Sequence, residues 1–150
     1  MQKDLVIVVT DGSLESAAIC PIARSKGEVV VLDISGGGGE GDPRRQAVQA
    51  QIDYLRPRET QSIAPAETDT GVAGQLLSLT AAIGHAAVLA QKHVASAIYI
   101  PLRIGEEIPE SEQAHEWLQL TEELLRYGLS LANIKIEAPL LDMEPRQVVD

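Results

Sequence analysis

Seven consecutive residues, Thr10-Asp11-Gly12-Ser13-Leu14-Glu15-Ser16, follow the apolar run Leu5-Val6-Ile7-Val8-Val9 and gather hydroxyls, carboxylates and a glycine in one short stretch. A small-residue turn that opens a helix exposes backbone N–H groups and the positive helix end, which together can hold phosphate. Any strand-to-helix turn uses such residues, so spacing alone is a weak sign. Asp11 and Glu15 have the chemistry to hold a metal or an amine; as acids in a first helical turn they equally favour the helix dipole. A second loop, the glycine-rich Ser35 to Asp42, follows Asp33-Ile34. A carboxylate at that place either meets a ligand or caps a turn. Arg44 and Arg45 flank this loop, and Arg103 follows a later apolar run. Guanidinium groups suit phosphate, although an exposed helix face accounts for Arg44 and Arg45 as well.

These residues need a scaffold, and the chain supplies an alternation of strands and helices. Leu5 to Val9 and Val29 to Leu32 are continuous β-branched runs, the pattern of strands buried on both faces. A helix is expected from Leu14 to about Lys26, kinked or split at Pro21 and stopped by Gly27. Pro43 opens a second helix running to about Arg56. Gln61 to Ile63 is a weak edge strand, and Val72 to His93 is a long Ala- and Leu-rich helix. Ala97 to Ile100 is a strand, Ser111 caps a helix from Glu112 to about Tyr127, and Ile134 to Ile136 is a strand. A last helix begins near Pro145. This order implies right-handed crossovers and a parallel sheet covered by helices on both faces. In such a sheet, ligands bind beyond the carboxyl ends of the strands where strand order reverses, which selects the loops after the first two strands.

Composition narrows the function classes. One domain accounts for 150 residues, 45% of them hydrophobic and none of them Phe, so the core is Val, Ile, Leu and Ala. A formal charge of −10 argues against nucleic acid and against anionic membranes, both of which select basic patches. With no leader-like start and no apolar run of membrane-spanning length, a cytoplasmic location is expected. Cys20, the only cysteine, excludes an internal disulfide and a thiolate zinc cluster, and its neighbours Ile19 and Ile22 suggest a buried thiol. His85 reads as a packed core or interface residue, His93 as a helix-end cation and His115 as surface. No pair of them has ligand spacing with an acid alongside, so no metal site is expected. Trp117 with Leu118, Leu124 and Tyr127 forms a stripe that fits a homodimer face or core packing equally.

The segment Val8 to Ser16 resembles the PP-loop, whose pattern is Ser-Gly-Gly-x-Asp-Ser after a buried strand. Other segments fall in the same order as in the PP-loop ATP pyrophosphatases, and most resemble their 7-cyano-7-deazaguanine synthase (QueC-like, ExsB) branch. Ala18 to Gly27 is similar to the first helix, Val30 to Asp33 and the following loop to the strand of the adenine site, and Ala81 to Ile100 to the long helix and fourth strand. The most specific match is Ile134-Lys135-Ile136-Glu137-Ala138-Pro139-Leu140-Leu141-Asp142-Met143. The resemblance implies a single Rossmann-like (HUP) domain over residues 1–150, a sheet ordered 3-2-1-4-5, and ATP with magnesium as cofactors. It implies a nucleotide site at Thr10 to Ser16, Asp33, Ile34, Arg44 and Arg103, with Asp33 reaching an adenine amine or a ribose. The family's chemistry is adenylation of a carboxylate with release of pyrophosphate, followed by attack of ammonia, on the route to queuosine.

The departures from the family pattern share a direction. Asp11 replaces the first Ser, Ser13 the second Gly, and Glu15 the Asp; only Gly12 and Ser16 match. An acid at the phosphate cradle repels a polyphosphate unless a cation intervenes. Gln75-Leu76 replaces an Arg-Asn pair, Pro145 falls on a basic position with Arg146 beside it, and Glu106 to Glu110 replaces a Tyr-Pro-Asp-Cys-Arg stretch. The chain reaches Asp150 without the cysteine cluster of the branch, so zinc is not expected. The adopted expectation is a domain that binds a nucleotide or purine-like ligand with the pyrophosphatase chemistry lost, and no catalytic residue is singled out. The alternatives are an active ATP-dependent amidating ligase and a non-catalytic interaction subunit.

Overall fold

A computed structural model describes residues 4–35, 42–63, 72–101, 111–128 and 134–139, apart from the side chains of 72–79, 111–114 and 128. The elements in chain order are β1 (Asp4–Thr10), α1 (Leu14–Lys26), β2 (Gly27–Asp33), α2 (Pro43–Leu55), β3 (Glu59–Ser62), α3 (Val72–His93), β4 (Ala97–Tyr99), α4 (Ser111–Gly128) and β5 (Lys135–Glu137). The strands form one parallel sheet in the order β3-β2-β1-β4-β5, as expected. Strand order reverses at β1, so the loops after β1 and β2 flank the place where such sheets bind ligands.

Strand alternation sorts the core into two layers. Leu5, Ile7 and Val9 of β1 join Val30, Leu32, Ile98 and Ile136 against the buried side of α3 and Leu125 of α4. Val6 and Val8 join Val29, Val31 and Tyr99 against Ile19, Cys20 and Ala23 of α1 and Leu55 of α2. The middle of β1 is fully enclosed, which is why it reads as an unbroken apolar run. Gly27 lets β2 start directly after α1: a Cβ there would lie 1.8 Å from the Asp4 carbonyl oxygen. Asp42 caps α2, its carboxylate accepting from the Arg44 N–H at 2.9 Å, and Pro43 follows at the first helical position.

Several local expectations change. Pro21 does not split α1, which is continuous from Leu14 to Lys26. β3 begins at Glu59 and ends at Ser62; its residues are half or fully exposed, as fits an edge strand. α4 starts at Ser111 rather than after it. His85 is exposed, not packed: Ala82, Ile83, Ala86, Ala87, Leu89 and Ala90 make the inward side of α3 and turn His85 to solvent. His93 instead lies against β3, its Nε2 2.7 Å from Glu59 Oε2, with Lys92 Nζ 3.3 Å from Glu59 Oε1. The α4 stripe divides: Trp117 and Leu118 pack on the core, the Trp117 indole donating to Thr80 Oγ1 at 3.1 Å, while Leu124 and Tyr127 face solvent. Among the described residues, no helix is long and apolar enough to cross a membrane. The segment after Pro139, including the helix expected near Pro145, lies outside the described residues.

Candidate functional site

The carboxyl ends of three strands bring Thr10, Asp33 and Ser62 side by side, Thr10 in register with Asp33 and Asp33 with Ser62. Asp33 is buried, and its carboxylate accepts from the Ser35 N–H at 2.8 Å and from Ser62 Oγ at 3.3 Å. It therefore caps the turn after β2 and ties in the edge strand. Ile34 donates its N–H to the Thr10 carbonyl at 2.8 Å, extending the β1–β2 pairing by one residue.

The loop after β1 closes on itself. Asp11 Oδ1 accepts from the Ser13 N–H at 2.9 Å and from Ser16 Oγ at 2.6 Å. Ser16 Oγ in turn accepts from the Asp11 N–H at 3.1 Å. Ser13 caps α1, its hydroxyl accepting from the Ser16 N–H at 3.1 Å. The Gly12 N–H donates to Thr10 Oγ1 at 3.2 Å. The Gly12, Ser13 and Ser16 N–H groups, donors that a phosphate could use in such a turn, are thus satisfied by Thr10, Asp11 and Ser13. The carboxylate of Asp11 occupies the anionic role within the turn.

Gly12 has φ +79°, and a Cβ there would lie 2.8 Å from the Arg44 carbonyl oxygen and 3.2 Å from Val48 Cγ2. Glycine is required both by the left-handed backbone and by the close approach of α2. This contact places the first turn of α2, with exposed Arg44, directly beside the loop. Arg103 lies outside the described residues. Leu14 is largely exposed and Glu15 half-buried in the first turn of α1. Among the described residues, no group of His, Cys, Asp and Glu has the arrangement to hold a metal ion.

Between α1 and α2 lies an open cavity of about 540 Å³, lined by Gly12 to Leu14, Ala17, Cys20, Pro21, Ala47, Ala50, Gln51 and Tyr54. That volume is in the range of small-molecule sites. Most of the wall is apolar. Burial pushes the Cys20 thiol up to about 11, and its Sγ donates to the Ser16 carbonyl at 3.3 Å, so it is a neutral wall group rather than a nucleophile. The polar feature is Gln51, a buried side chain whose Oε1 accepts from the buried Thr10 hydroxyl. The sequence held a signal for it: Val48, Gln51 and Leu55 are the buried face of α2, and a glutamine interrupts that stripe. The chain matches no protein-family model and no curated protein sequence.

Proposed function

We propose that the chain is a PP-loop-like domain that binds a nucleotide- or purine-like ligand and does not split ATP. The observation that carries this reading is the Asp11 carboxylate, which accepts from Ser13 N–H and Ser16 Oγ inside the turn that would otherwise cradle phosphate. A polyphosphate would have to displace that carboxylate and would meet its charge at short range, a cost that grows as water is excluded. The cavity beside the loop has a mostly apolar wall with a small number of polar groups, the character of a site for an uncharged ring. The strand order, with reversal at β1, supports placing a ligand at this edge.

The test is calorimetric titration of the full chain with adenosine and with ATP, each with and without magnesium. Adenosine binds more tightly than ATP in the wild type, and no pyrophosphate is released. Asp11→Ser frees the turn's donors and raises ATP affinity about tenfold, equivalent to about 1.4 kcal/mol. Magnesium-dependent release of pyrophosphate by the wild type would overturn the reading in favour of an active ligase.

A further inference from the structure

The cleft between α1 and α2 lies on one face of the sheet, beside the loop rather than beyond the strand ends. Its most unusual wall residue is Gln51, only 7% exposed. Thr10 Oγ1 accepts from the Gly12 N–H, so the single Thr10 proton is directed to Gln51 Oε1. That bond fixes which end of the amide faces Thr10 and leaves the NH₂ end unused by it, on a residue that lines the cavity. The NH₂ group has no partner among the described residues. A buried amide left without an acceptor is costly, and sites of recognition hold such groups ready for a ligand.

Two further features belong to the same wall. Pro21 has no N–H, so the Ala17 carbonyl lacks its usual donor four residues on, and both residues line the cavity. The polar group the wall offers is the Gln51 amide, set among apolar neighbours. Tyr54 supplies an aromatic ring, with the Arg24 guanidinium 4.7 Å from its centroid and outside the cavity lining. That cation stacks on Tyr54 and steadies a side chain that is otherwise 43% exposed.

We propose that this cleft is the ligand site and that it takes a neutral planar heterocycle of the nucleobase class, stacked on Tyr54 and read by the Gln51 amide. The proposal rests on the purine-like reading given above and adds the location and the recognising groups. A ring edge that carries an acceptor matches the Gln51 amide. The apolar alanines and Pro21 accept the ring faces, and Asp11, next in the chain to Gly12 of the lining, disfavours a phosphate tail.

The experiment uses adenine, guanine and adenosine as probes against the full chain, read by calorimetry. The variants are Gln51→Leu, Tyr54→Ala and Ala50→Trp, with His85→Ala on the exposed surface of α3 as a control on the other face of the sheet. Ala50 is an exposed wall residue, so a Trp there fills the cleft without touching the Thr10–Gln51 bond. Thermal unfolding of each variant reports folding, and Ala50→Trp decides the matter if Gln51→Leu unfolds. The expected result is binding of at least one probe, weakened about tenfold by Gln51→Leu and by Tyr54→Ala and abolished by Ala50→Trp, with His85→Ala unchanged. Binding that survives both Ala50→Trp and Gln51→Leu would overturn the cleft site while leaving the purine-like reading intact. Absence of binding by all three probes at millimolar concentration would overturn both.

Discussion

The two faces of the sheet are finished differently. On one, α3 lays a row of small residues, Ala82, Ala86, Ala87 and Ala90, close against Ile7, Leu32 and Ile98, and Trp117 of α4 is pinned to Thr80. On the other, α1 and α2 meet the sheet through Ile19, Cys20, Ala23 and Leu55 and leave between them a cavity with Gln51 in its wall. Among the described residues, one face is closed by these small side chains; the other leaves an opening beside the loop after β1. Stability and binding should therefore respond to substitutions on opposite sides.

The largest effect belongs to the packed face. Ile98 is fully buried, and Ile98→Ala should lower stability by about 4 kcal/mol through the lost burial and the void left behind. Denaturant unfolding measures this, and probe affinity at low temperature should stay within twofold of the wild type. A matching loss of affinity would erase the contrast between the faces.

The open face is sensitive where its loop is shaped. Gly12→Ala forces a side chain onto a left-handed backbone beside the Arg44 carbonyl and should cost about 2 kcal/mol. It should also weaken probe binding, because the same glycine lines the cavity. Calorimetry and unfolding on one preparation check both halves of that expectation.

A smaller effect of opposite sign lies at the end of α3. Val94 has φ 56°, 86% exposure, and a place where the Ala95 N–H reaches back to the Ala90 carbonyl at 2.8 Å. That bond is the signature of a helix end that favours glycine, and a β-branched residue there is strained. Val94→Gly should raise stability by about 1 kcal/mol, seen as a higher midpoint in thermal unfolding, with binding unchanged.

The smallest effect is on pH dependence. The hydrogen bond to His93, then that to Lys92, holds the Glu59 carboxyl below the usual glutamate range against a minor opposing effect of burial. Its folded value lies below its unfolded one, so its contribution is present above the ordinary glutamate value and is lost as pH falls through the folded value. Glu59→Gln should remove that contribution at pH values above the ordinary glutamate value, a small loss because the carboxylate is partly exposed, and should flatten stability measured across the acid window.

The fold was legible because its strands are enclosed. Leu5 to Val9 and Val29 to Leu32 have no solvent face, so no polar alternation hides them, and Pro43 and Gly27 mark boundaries by backbone chemistry alone. The orientation of α3 was not legible: alanine suits either side of a helix, so the neighbours of His85 gave no direction. The site divides in the same way. Thr10 to Ser16 and Asp33 could be placed at the strand ends from the alternation of elements, and the structure brings them together. What Asp11 does there depends on its reach to Ser16 Oγ, a tertiary detail of the turn. Gln51 escaped notice because a glutamine on a helix ordinarily faces water, and only the packing of Val48 and Leu55 shows that it does not.

The account turns on whether Asp11 has taken the place of phosphate in the loop after β1. The most direct measurement is calorimetric titration of ATP with magnesium into the wild type and Asp11→Ser. The account predicts weak or absent binding by the wild type and a gain of about tenfold or more in the variant. Tight ATP binding by the wild type, with no gain on removing the carboxylate, would contradict it.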